Sequence, residues 1–162
     1  MTWYQSLLVS ICGGVVAGFV TMWLSLRRFY RERWWQRRFD GCAAVIESLH
    51  DQKRYSDILW GEEAEGKEYD ADFKNAAAIR SGDGARLIRR YADLGSLALP
   101  DEVAILLTTY LKEREAKPRF DTFQEYLEDQ KSAETTLLSK VAPAAVKGLG
   151  LSRTWRNRML GT

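Results

Sequence analysis

The sequence predicts an all-α protein: an N-terminal transmembrane helix that continues into an up-and-down cytoplasmic helical bundle. Three observations carry this. Residues 3–26 hold no charged side chain and stop against a cluster of arginines. Beyond them, apolar residues recur at three- and four-residue spacing, the period of a helix with one buried face. Pro100, Pro118 and Pro143 punctuate those stretches, and none of them alternates as a strand would.

Residues 1–26 form the anchor. The uncharged run spans roughly 36 Å at about 1.5 Å per helical residue, enough for a hydrocarbon core of about 30 Å. A cleavable secretory peptide would start with positive charge and carry a shorter apolar centre, and neither holds here. Ser6, Ser10, Gly14 and Gly18 recur every four residues and so share one helix face. Such a small-residue stripe lets backbones approach closely, which predicts a homo-oligomer paired through the transmembrane helix.

Residues 27–39 form a basic aromatic collar, with Arg27, Arg28, Arg31, Arg33, Arg37 and Arg38 around Trp34 and Trp35. Each arginine at mid-bilayer costs roughly 2.5–3.5 kcal/mol, so the collar stays in the cytoplasm and the N-terminus lies outside. Trp3 and Tyr4 suit the outer interface. Phe29, Tyr30, Trp34 and Trp35 suit the inner one, where amphipathic rings prefer headgroup depth. The lipid bilayer is thus the first expected partner.

Residues 40–143 are the helical cytoplasmic domain. Neither Gly nor Pro occurs between Phe19 and Asp40, so the first helix should run through the collar, with Gly41 its weak point. Trp35, Phe39, Cys42, Ile46 and Leu49, then Ile58 and Leu59, trace an apolar face ending near Trp60, before a polar loop over 61–66. A second helix is expected over 71–94 with Phe73, Ala77, Leu87, Tyr91 and Leu94 on one side. Ser81-Gly82-Asp83-Gly84 should kink or break it. Gly95 and Ser96 close that helix, and Pro100 at a first helical position opens a third along Val103, Leu106, Leu107, Tyr110 and Leu111, ending before Pro118. A fourth, capped by Asp121 with Gln124, carries Phe123, Tyr126, Leu127, Leu137 and Val141 until Pro143. Short links make neighbours antiparallel. Residues 144–162 are a basic tail in which Arg153, Trp155, Arg156 and Arg158 could meet headgroups.

Charge supports this arrangement. Residues 39–151 hold 15 basic against 21 acidic side chains, while both ends are basic. Basic ends at an anionic membrane and an acidic body held off it fit this pattern, and a nucleic-acid partner does not. Cys12 and Cys42 lie at different depths and cannot pair, and Cys42 should pack as a small apolar residue. His50 is the only histidine. Glu47 and His50 supply one Glu-x-x-His pair, half of what a dinuclear carboxylate site needs, so no metal or other cofactor is expected. His50, Asp51 and Asp57 lack a nucleophile, Gly82 and Gly84 lack the rest of a phosphate loop, and Glu125, Glu128 and Asp129 fit an outer helix face. The expectation is a protein that is not an enzyme and has no catalytic residues.

The run Glu32-Arg33-Trp34-Trp35-Gln36-Arg37-Arg38-Phe39, with Ile46-Glu47-Ser48-Leu49-His50-Asp51-Gln52-Lys53-Arg54-Tyr55 after it, resembles uncharacterised bacterial single-pass membrane proteins that carry a basic Trp-Trp juxtamembrane collar and a helical cytoplasmic domain. The resemblance implies a bacterial inner (plasma) membrane and carries over no catalytic residue. Two functions compete at this point. One is a self-associating tether that presents its helical domain to a cytoplasmic protein partner. The other is a membrane-perturbing effector of a phage-defence-like bacterial system.

Overall fold

The computed structural model describes residues 3–116 and 120–151, with the side chains of residues 3–17 outside that description. Four helices account for nearly all of it: α1 (Trp3–Glu65), α2 (Ala71–Leu94), α3 (Asp101–Ala116) and α4 (Phe123–Gly148), with a 3-10 turn, Gly95–Leu97, between α2 and α3. No strand occurs among the described residues. The chain divides into two compact units, Met1–Arg37 and Arg38–Thr162.

In the first unit every described side chain from Gly18 to Arg37 is exposed. Its order is local: the Arg27 guanidinium lies 5.5 Å from the Trp23 ring centre and that of Arg33 4.8 Å from Phe29. Among the described residues no helix is long and apolar enough to cross a membrane. Most of the uncharged run read as a span falls on residues 3–17, outside the described side chains.

The second unit is a helical bundle. Along α1, Ser48 packs on Gly84 of α2, Asp51 faces Arg80 at 3.9 Å and Glu62 pairs with Lys74, so the two helices run antiparallel. Lys147 bonds Glu102 at 3.0 Å and Arg114 faces Asp129 at 3.5 Å, which sets α4 antiparallel to α3. Lys131 of α4 reaches Asp57 of α1 at 3.0 Å and closes the ring of helices.

Several boundaries differ from the sequence reading, each for a packing reason. The polar loop expected over 61–66 begins only at Gly66, whose φ of +62° suits glycine; Gly61 stays helical and buried, closed over by the Tyr69 ring. The break expected at 81–84 is absent. Gly84 lets α1 and α2 touch backbone to backbone, since a Cβ there would sit 3.0 Å from the Ser48 carbonyl. Gly41 does not weaken α1 but admits the corner after α2, where a Cβ would meet the Ala98 carbonyl at 2.8 Å.

Pro100 precedes α3 rather than starting it, and its carbonyl accepts the first helical bond from Ala104 N. Thr122, not Asp121, caps α4: its hydroxyl accepts from Glu125 N at 3.1 Å, in a Thr-x-x-Glu box. Pro143 does not stop α4. It lies on the exposed side, where water can serve the carbonyl its missing N–H leaves free, while Val141, Ala144 and Ala145 beside it are buried. The apolar face of α1 also shifts: Cys42, Val45 and Leu49 are buried, whereas Trp35 and Phe39 are exposed.

The main core joins Cys42, Val45 and Leu49 of α1, Ile88 of α2, Leu99, Val103 and Leu107 around α3, and Leu137 and Val141 of α4. Ile58, Ala77 and Leu127 are buried further along but stand outside that cluster. Between the two apolar parts, along α1 and α4, come Gln52, Ser56 and Glu134, all buried.

Candidate functional site: a polar cleft in the bundle

The polar stretch follows from register. Val45, Leu49, Gln52 and Ser56 continue one helical stripe on α1, and Leu127, Glu134 and Val141 are spaced by seven on α4. Polar side chains at these positions must enter the core with the apolar ones. Glu134 does so completely, at 0% exposure.

Its carboxylate is only half served. Gln130 donates to Oε1 at 2.9 Å, while Oε2 has no hydrogen-bond partner. The Ser56 hydroxyl lies near enough to favour the charged form, yet neither its Oγ nor Oε2 completes a bond of ordinary geometry. Burial therefore dominates and pushes the Glu134 pKa above the usual carboxylate value, against Gln130, Ser56 and the Arg114 charge, with Asp57 adding to the rise. Tyr110 is pushed up to about 12, first by burial and then by the Glu134 charge, so its hydroxyl keeps its proton.

Glu134 and Gln130 line a cleft of about 500 Å³ that all four helices build. Gln52 and Tyr55 come from α1, and Tyr110, Leu111 and Arg114 from α3. The α2 wall is low because Ala78, Ser81, Gly82 and Ala85 are small, and Arg86 and Arg89 stand beside it on the exposed side. Each guanidinium already has an acidic neighbour: Arg86 pairs with Asp83, Arg89 faces Glu115 at 3.7 Å, and Arg114 faces Asp129. Arg114 also sits 5.7 Å from the Tyr126 ring centre. Next to this cleft, Asp57 is bonded by Lys53 and Lys131. Burial raises its pKa, but those two bonds and charges outweigh it and hold it below the usual value.

The residues singled out from sequence lie elsewhere. Of the small-residue stripe, Gly18 is exposed with open space where a Cβ would stand, and Ser6, Ser10 and Gly14 lie outside the described side chains. Arg27, Arg28, Arg31, Arg33, Trp34, Trp35 and Arg37 are exposed. Arg38 belongs to the bundle, where its guanidinium donates to the Ser96 carbonyl at 2.8 Å and braces the corner after α2. The tail residues from Arg153 on lie outside the described residues.

His50 and Glu47 are exposed, and among the described residues no three His, Cys, Asp or Glu side chains gather to hold a metal. Cys42 is buried, and burial lifts its thiol to about 11 against the nearby Arg38 charge, so it packs as a neutral thiol. What the sequence reading missed is the cleft, although a carboxylate in the heptad register of Leu127 and Val141 was its visible sign.

No protein-family model matches the chain, and no curated protein or solved structure matches it either.

Proposed function

We propose that the protein is a single-pass inner-membrane tether. Its N-terminal helix would fix it in the bilayer and self-associate there, and its helical bundle would be presented to a cytoplasmic protein partner without acting as an enzyme. The observation that carries this reading is the uncharged run 3–26 ending at six arginines within residues 27–38. Support comes from the exposed apolar side chains at the end of that run and through the collar: Phe19 is 74% exposed, Met22 63% and Tyr30 66%. Large apolar groups on all sides of a helix need an apolar covering, and a bilayer with its headgroup layer supplies one.

Alkaline carbonate washing of membranes from expressing cells tests it. The full chain should remain with the membrane pellet, whereas a variant with Leu7, Val15 and Phe19 changed to Asp should wash out. Release of the unaltered chain overturns the proposal.

A further inference from the structure

We infer that the collar is a recognition site for an anionic phospholipid, whose phosphodiester is taken by Arg27, Arg28 and Arg31. The inference rests on the membrane reading and names the class of lipid held beside the chain. At about 100° per helical residue, these three arginines share an arc of about 100° and a rise of about 6 Å, while Arg33 and Arg37 lie on the opposite side. Two shallow grooves run along that arc and share Arg28 and Arg31. Leu24 and Arg27 complete one, and Glu32 and Trp35 the other. All lie within the unit Met1–Arg37.

The charges there are unanswered. In the bundle Arg80, Arg86, Arg89 and Arg114 each face an acid, whereas among the described residues no ion pair holds Arg27, Arg28 or Arg31. Glu32 is the one acid beside three cations. A headgroup layer is about 5–7 Å deep, so one layer takes in all three guanidiniums, while Arg37, about 15 Å along the axis from Arg27, lies past it. Forked guanidinium donors match phosphate oxygens. A zwitterionic headgroup brings an ammonium that opposes the cluster; a phosphodiester without an amine, as in phosphatidylglycerol, leaves its negative charge to the arginines. The ligand also needs an apolar part. Trp23 and Leu24 are exposed on the side of the uncharged run, and the Arg27 guanidinium lies 5.5 Å from the Trp23 ring centre. A soluble phosphate would leave that surface bare, whereas a lipid covers it with its acyl chains.

The test is tryptophan quenching of the full chain reconstituted in vesicles of equal parts phosphatidylcholine and phosphatidylglycerol, with bromine on the acyl chains of one lipid or the other. Brominated phosphatidylglycerol should quench with a preference of at least about threefold, and added salt should shrink it. Arg28→Gln with Arg31→Gln should bring the preference close to unity. Arg33→Gln with Arg37→Gln removes the same charge from the other side and should retain most of it. Glycerol 3-phosphate in solution should leave the preference unchanged. Equal quenching by the two lipids overturns the inference and leaves the membrane reading standing, whereas no quenching by either overturns both. Equal losses in the two double variants, or competition by glycerol 3-phosphate, overturn the site while the chain remains in the bilayer.

Discussion

Along the same helices the bundle is first dry and then wet. Around Leu49, Val103, Leu107 and Val141 the four helices meet through apolar side chains, and Ser48, buried beside them, gives its hydroxyl proton to the Ala44 carbonyl. One to two turns along, the same faces present Gln52, Ser56, Tyr110 and Glu134, and an oxygen there goes unserved. The secondary structure does not change between the two layers, and neither does the pairing of helices. Only the chemistry at the inward positions differs. One layer is built to hold the helices together, while the other gives up some of that stability by burying polar groups.

The largest expected effect belongs to the dry layer. Leu107 is fully buried, and Leu107→Ala should cost about 2–5 kcal/mol, much of the stability of an ordinary domain. A urea titration followed by circular dichroism reads it. A loss under about 1 kcal/mol would mean that this layer is not the mainstay it is taken to be.

The wet layer should respond with the opposite sign. Glu134→Gln removes a buried charge whose second oxygen has no bond, so stability at neutral pH should rise by about 1 kcal/mol. The folded-state pKa of Glu134 lies above its unfolded value, so the folded form holds this proton more tightly. Its contribution is complete below the ordinary carboxylate pKa and is lost as pH rises through the folded one. The advantage of Gln should therefore be absent in acid and grow toward neutrality. Asp57, held below its ordinary value, runs the other way and loses its contribution as pH falls. Thermal melts of both proteins across pH 4 to about 8 would show the difference widening, and a constant gap would refute this account.

The smallest effect separates two glycines on α2. Gly82 has no atom near its missing Cβ and no positive φ, so Gly82→Ala should add about 0.5–1 kcal/mol by stiffening the unfolded chain. Gly84→Ala should destabilise, because its Cβ would press on the Ser48 backbone. Paired thermal melts compare them.

The helices themselves were legible in the sequence, because three- and four-residue spacing of Val103, Leu106, Leu107 and Tyr110 states a face directly. Their ends were less so. Glycine has one letter for two jobs: in 81–84 the sequence suggests a flexible break, whereas Gly84 is a contact between backbones that no local pattern reveals. Pro143 misled for a related reason, since whether proline ends a helix depends on which side faces water. The cleft was hidden differently. Glu134 resembles any outward acidic residue of an amphipathic helix until its register with Leu127 and Val141 is weighed above its charge. Arg38 shows the limit of reading charge alone, since an arginine grouped with a basic run turns out to brace a corner of the bundle.

The band of Gln52, Ser56 and Glu134 between two apolar parts has a consequence for how the helices align. Were α4 to slide by one turn against α1 toward the apolar layer, the carboxylate would be driven among Leu49 and Val103, where no group could meet its needs, and Gln130 or Lys131 would arrive in its present place. Uniformly oily interiors permit such slippage at little cost; a single misplaced charge does not. Glu134 thus works as a notch, allowing the four rods only one longitudinal fit.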